Sequence, residues 1–195
     1  MSTSARKKSA KKELILTTAA AMFREKGFAA SSMRDLAEKI GIEAASLYNH
    51  IQSKAQILEE IVDSVARDCN EHLDMLEKRN GTSLEKIESL IRFHTKMMMT
   101  RFEAYSVMVN EWMHLEKDKL NSFVANRRDY VKRMEAIVEA GVKKGEFKSL
   151  MPYVVVLNIL SAVRGLEFWQ RSAKTHTAQE MEDNIVVHLI GGIKR

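Results

Sequence analysis

Ala44, Ala45, Ser46, Tyr48 and Asn49 are small or hydrogen-bonding residues set around two aliphatic ones, Leu47 and Ile51, that stand four apart. Residues four apart share a face of a helix. Leu47 and Ile51 therefore point inward, and the other five form an outer face without a long aliphatic group. Such a face suits the major groove of duplex DNA, which admits one helix and displays donors and acceptors on its base edges. Ser46 and Asn49 would read those edges, and Ala44 and Ala45 would touch a thymine methyl. Arg34, upstream, would reach a guanine edge or a phosphate. Lys54 falls in the first turn of a later helix, where its ammonium and the uncommitted backbone N–H groups both favour a phosphate. This is recognition chemistry. No Ser/His/Asp constellation, glycine-rich phosphate loop or metal motif supports an enzyme, and no cofactor is expected.

Two short helices and a tight turn would hold that face. Met33, Leu36, Ala37 and Ile40 recur at i, i+3, i+4 and i+7, which places them on one side of a helix. Gly41 supplies the break, since glycine enters a left-handed turn without steric cost. Ser32 and Asp35 make a capping pair for this helix. Together the two helices read as a helix-turn-helix.

At these residues the chain resembles the TetR family of bacterial repressors. The family pattern appears as Ser32, Leu36-Ala37, Gly41-Ile42, Leu47-Tyr48, Ile51 and Ser53-Lys54-Ala55-Gln56-Ile57-Leu58. Upstream, Ala20-Ala21-Met22-Phe23-Arg24-Glu25-Lys26-Gly27-Phe28 resembles the family's first helix and its closing glycine. The resemblance covers about the first 60 residues and implies DNA contacts at Ser32, Tyr48 and His50. Ala45 stands where the family commonly has glycine, Glu43 where serine is common, and Ile51 where phenylalanine is usual. The first two changes fall on the groove side and alter the expected operator sequence; the third is a core swap.

Charge is placed to match. Residues 1–56 hold ten basic side chains against five acids, whereas the other 139 residues hold 21 of each, so the whole excess of +5 sits in the segment expected to face DNA. Residues 1–10 read as a flexible basic arm whose Lys7 and Lys8, with Lys11 and Lys12, would add backbone or minor-groove contacts. A DNA-binding domain is expected over 11–55 and a ligand-binding and dimerisation domain over 56–195. Cys69 is alone, which excludes an internal disulfide and fits a reducing, cytoplasmic setting. No apolar run reaches the length of a membrane span, and no signal-peptide core follows the basic N-terminus.

The pattern is helical throughout. The chain has one proline, Pro152, and no segment of convincing period two. A first helix runs to about Lys26, and a fourth opens at Ser53 with Gln56 as a capping box and runs to about Lys78. Further helices are expected from Thr82 to about Arg101, Glu103–Glu116, Leu120–Lys144, Pro152 to about Ser172, and from Thr177 to the C-terminus. Thr82 with Glu85 and Thr177 with Glu180 repeat the capping box. The helix after Pro152 is apolar nearly all round, so one face is not enough to bury it. Either a second copy covers it, through Val156, Leu160 and Val163 with Ile185 and Leu189 of the last helix, or it lies inside one large monomer. The family resemblance favours the homodimer.

The expected regulatory half is rich in methionine near aromatics: Met97, Met98, Met99, Met108 and Met113 accompany Phe93, Phe102, Tyr105 and Trp112. Thioethers suit adaptable apolar cavities, and equally serve as core filler. Met98, Phe102, Met108 and Trp112 are the candidate lining for a hydrophobic or amphipathic effector. Glu111-Trp112, Arg127-Arg128-Asp129-Tyr130, Gly145-Glu146-Phe147 and Arg164-Gly165-Leu166-Glu167-Phe168-Trp169 are similar to the layout of TetR members that answer to acyl-CoA thioesters. That resemblance implies Arg127, Arg128 and Arg164 as phosphate partners and adds Trp169. Glu111 with His114, and Glu71 with His72, fall short of the ligand set of a closed metal site. The expected product is an all-α repressor that binds a palindromic operator as a homodimer and is released by a small molecule. The alternative is a non-specific, architectural DNA-binding protein.

Overall fold

A computed structural model describes residues 3–172 and 175–195, with side chains from Ser9 onward. The described residues form nine α-helices: α1 Thr3–Lys26, α2 Met33–Ile40, α3 Ala44–Tyr48, α4 Lys54–Lys78, α5 Ser83–Thr100, α6 Phe102–Asn110, α7 Lys117–Lys143, α8 Pro152–Arg171 and α9 Ala178–Ile193, with a 3₁₀ turn at Trp112–His114. The all-α expectation holds. α1 begins at Thr3, so residues expected as an arm are helical from there. Alanine and lysine are good helix formers, and neither glycine nor proline interrupts Thr3–Lys26. The segment expected as one helix over Glu103–Glu116 is instead α6 followed by the 3₁₀ turn.

Helix ends follow the local chemistry. Thr82 and Thr177 each close a full capping box, with Glu85 and Glu180 respectively. Glu85 and Glu180 stay easily ionised because the backbone N–H and hydroxyl of those threonines donate to their carboxylates. At α4 the box is shifted by one residue: Ser53 Oγ accepts from Gln56 N–H, while Gln56 Oε1 accepts from Gln52 N–H. Pro152 opens α8, where a missing N–H costs nothing.

The chain divides into two compact units, Met1–Arg67 with Glu103–Phe123, and Asp68–Phe102 with Val124–Arg195. The first is therefore larger than residues 11–55. Its core gathers Phe23, Leu36, Leu47, Ile51 and Leu58, joined by Val107, Leu115 and Phe123 from the later segment. In the second unit α5 packs against α8 and α9. Arg92 on α5 ties these together, bonding Glu88 at 3.0 Å, Glu182 at 3.0 Å and Asp183 at 2.9 Å. Arg133 on α7 grips Glu77 through Nε and a second nitrogen at 2.9 and 2.7 Å, and Asp74 at 2.5 Å.

Candidate nucleic-acid interface

The turn between α2 and α3 is built by Gly41, which sits at φ 75° and ψ 38°. Its N–H bonds the Glu38 carbonyl at 3.0 Å, and Ile42 N–H bonds that of Ala37 at 3.0 Å. These bonds satisfy carbonyls that the end of α2 leaves without helical partners. Leu47 and Ile51 are sealed in the core at 0% and 1% exposure. Their burial fixes the roll of α3. As a result Ala45, Tyr48 and Asn49 are exposed and Ser46 is half-buried. Tyr48 stands out at 52% exposure, unusual for a large aromatic. Arg34 is exposed on α2.

Four expected contacts sit differently. Ala44 packs partly against the core, because at the first position of α3 it shares the inner side with Leu47. Ser32 is exposed, but its Oγ accepts the Asp35 N–H and so caps α2. His50 is half-buried, and among the described residues its buried Nδ1 has no hydrogen-bond partner. Lys54 does not project freely. Its Nζ donates to the carbonyls of Phe28 at 2.7 Å and Ser31 at 2.7 Å, with Ala29 at 3.5 Å, and lies 4.3 Å from the Phe28 ring centre. The ammonium is thus a clamp on the loop before α2. Lys12 pairs with Glu60 at 2.8 Å. The side chains of Lys7 and Lys8 lie outside the described residues.

One partner was not legible in the sequence. Glu111, which with His114 falls short of a metal ligand set, accepts the Phe28 N–H at 3.1 Å. Its sequence distance from Phe28 leaves no local signal. Among the described residues no cluster of three or more metal-ligating side chains occurs.

The pattern described as "Bacterial regulatory proteins, tetR family" matches residues 15–61, and "Tetracyclin repressor-like, C-terminal domain" matches residues 80–193. The chain belongs to the TetR family. It is accordingly a DNA-binding transcriptional regulator of helix-turn-helix type, not an enzyme. Its relatives include the transcriptional repressor KstR2 of Mycobacterium tuberculosis, 25% identical over 93% of this chain and 92% of that one. KstR2 of Mycolicibacterium smegmatis is 26% identical over 94% and 90%. The solved structure of the ketosteroid regulator KstR2 of Mycobacterium tuberculosis shares the fold at TM-score 0.87, 22% identity, over 95% of both chains. The structure of AibR in complex with isovaleryl coenzyme A and operator DNA shares it at TM-score 0.77, 23% identity, over 92% of this chain and 97% of that one.

TetR regulators bind small-molecule effectors, and the residues expected to do so here are divided between the two units. Met108 and Trp112 belong to the first unit and pack on its core, with Trp112 5.9 Å from Phe123. Met98, Phe102, Arg127, Arg164 and Trp169 belong to the second. There Met98 is buried, Phe102 nearly so, and Gln170, beside Trp169, donates to the Met99 carbonyl at 3.3 Å. Arg127, Arg128 and Arg164 are exposed. The second unit also buries polar groups that the sequence did not single out. His94 is sealed within it, with Nε2 2.8 Å from the Tyr130 hydroxyl. Burial, helped by His72, lowers the His94 pKa to about 4.

The expected dimer contacts divide. Val156 and Val163 are buried in their own chain at 1% and 0%, so they are core residues, not interface. The reason is their register: with Val155, Ile159 and Leu166 they form the inward side of α8. Leu160, Ile185 and Leu189 are half-buried. The outward side carries Tyr153, Val154, Leu157 and Phe168, and α9 exposes Val187. A groove of about 940 Å³, lined among others by Met151, Val154, Ile159, His188 and Leu189, runs along α8 and α9.

Among the described residues no helix is long and apolar enough to cross a membrane.

Proposed function

We propose that the chain is a repressor that binds a palindromic operator as a homodimer and leaves it when a small hydrophobic or amphipathic molecule, such as an acyl-CoA, binds the second unit. The observation that carries this is the outer face of α3. Ala45, Ser46, Tyr48 and Asn49 are presented outward by the buried Leu47 and Ile51, in the part of the sequence that holds the whole basic excess. In this reading Ser46 and Asn49 read base edges. Tyr48, His50, Arg34 and the first turn of α4 position the duplex through phosphates. Twofold pairing uses the outward apolar residues of α8 and α9, since a face with Leu157 at 48% and Phe168 at 81% exposure leaves large hydrophobic area in water. The effector class is supported by the methionine-rich helices and by AibR, a fold neighbour seen with isovaleryl coenzyme A and operator DNA.

Release is a population shift. The effector favours a conformation in which α4 swings and the two copies of α3 leave the spacing of about 34 Å that successive major-groove faces require. Gel shifts on the DNA upstream of its own gene test this, with and without a panel of acyl-CoA thioesters. A discrete complex that one thioester dissolves is expected. A complex seen equally on unrelated DNA, and lost when residues 1–10 are removed, would instead identify a non-specific binder.

A further inference from the structure

Phe28 lies just past the end of α1, in the turn that leads to α2, and is half-buried and held through its amide, carbonyl and ring within the first unit. Its N–H donates to Glu111 Oε2 at 3.1 Å and its carbonyl accepts from Lys54 Nζ at 2.7 Å. Its ring meets Phe23 edge-on at 5.1 Å and stacks on His114 at 5.4 Å with a 26° tilt. His114 Nε2 in turn stands 3.5 Å from the same Glu111 oxygen. The Glu111 carboxylate is only 17% exposed, so its bond to the amide is poorly screened by water. Lys54 also holds the Ser31 carbonyl, one residue before the cap of α2. The loop that decides where α2 starts is therefore fixed by one cation from α4 and one carboxylate from the far side of the sequence. Glu111 stands at the break between α6 and the 3₁₀ turn, in the segment 103–123 that is flanked along the chain by both stretches of the second unit.

We propose that Glu111 is a positioning residue for DNA recognition: by holding the Phe28 amide opposite the Lys54 clamp, it fixes the loop from which the helix-turn-helix is hung. This rests on the regulator reading above. Glu111 touches no DNA; it acts through Phe28. Its loss releases an amide bound to a charged acceptor and lets the loop before α2 drift, which costs shape-dependent contacts while leaving overall charge attraction intact.

The test uses the full chain and a duplex enriched from a random pool by the wild-type protein, with an unrelated duplex as control. Glu111→Ala should weaken the enriched duplex by about tenfold, leave the control unchanged and speed hydrogen exchange at the Phe28 amide. Glu111→Gln keeps an acceptor oxygen and should restore both binding and protection. The proposal is overturned if Glu111→Ala binds the enriched duplex as wild type does, if Glu111→Gln is as weak as Glu111→Ala, or if specific and control binding fall together with the folded fraction. Failure of the wild type to enrich any duplex precedes all substitutions and strikes the regulator reading itself.

Discussion

The Lys54 ammonium shows how a residue's type can be right and its task different. A lysine at a helix start reads as a phosphate ligand, because its sequence neighbours say nothing of the carbonyls of Phe28 and Ser31 that fold over it. Lys54→Met keeps the aliphatic stem and leaves those carbonyls short of a donor. It should cost about 1–3 kcal/mol of stability, measured as a lower denaturant midpoint; removal of a pure phosphate ligand would instead weaken DNA binding and its salt dependence and leave stability unchanged. His94 makes a second residue-scale prediction. Burial drops its pKa from 6.5 to about 4. Above pH 6.5 folded and unfolded chains both hold it neutral. Between 6.5 and 4 only the unfolded chain gains the proton, so stability is lost as the pH drops through that window, by roughly 3 kcal/mol in full. Thermal unfolding followed from pH 7 to 5 should show this slope, and His94→Gln should flatten it. Tyr48, by contrast, was legible: an aromatic on the side opposite Leu47 and Ile51 has nothing to pack on, and the structure leaves it in water.

At the scale of elements, what was local was readable. Three capping pairs, Ser32–Asp35, Thr82–Glu85 and Thr177–Glu180, mark their helices because the partners stand three residues apart. The roll of α8 was not readable, since a helix apolar on nearly all sides carries no periodic signal to say which side faces inward. The pattern therefore does not distinguish Val156 and Val163, which belong to the core, from the outward residues of the same helix. Close approaches between elements were equally silent. Gly141 in α7 looks like an ordinary helical glycine, yet a Cβ there would lie 2.3 Å from the Phe147 ring and 2.9 Å from Ser83 Cβ. Phe147 is buried at 2% and cannot swing into solvent freely. Gly141→Ala should therefore destabilise by about 1–3 kcal/mol despite its better helix propensity. A lowered unfolding midpoint checks it; an unchanged or raised one would mean the ring moves aside.

The basic excess lies in residues 1–56, and the last two helices, α8 and α9, expose large apolar side chains. Pairing should fail if the apolar face is charged: Leu157→Glu is expected to give a monomer by light scattering, folded as before because the residue is 48% exposed. The charge asymmetry and the helix-turn-helix spacing made the DNA-binding end plain from sequence. The effector remained obscure, because a bundle's interior is assembled from residues far apart in the chain. Selection of binding sites from a random duplex pool, repeated with Tyr48→Ala, tests the recognition face of α3 most directly. Enrichment of a palindrome with half-sites centred about 10 base pairs apart, bound by two chains and lost on Tyr48→Ala, is the predicted result. Enrichment of no common sequence, or of one that Tyr48→Ala binds equally well, would contradict it.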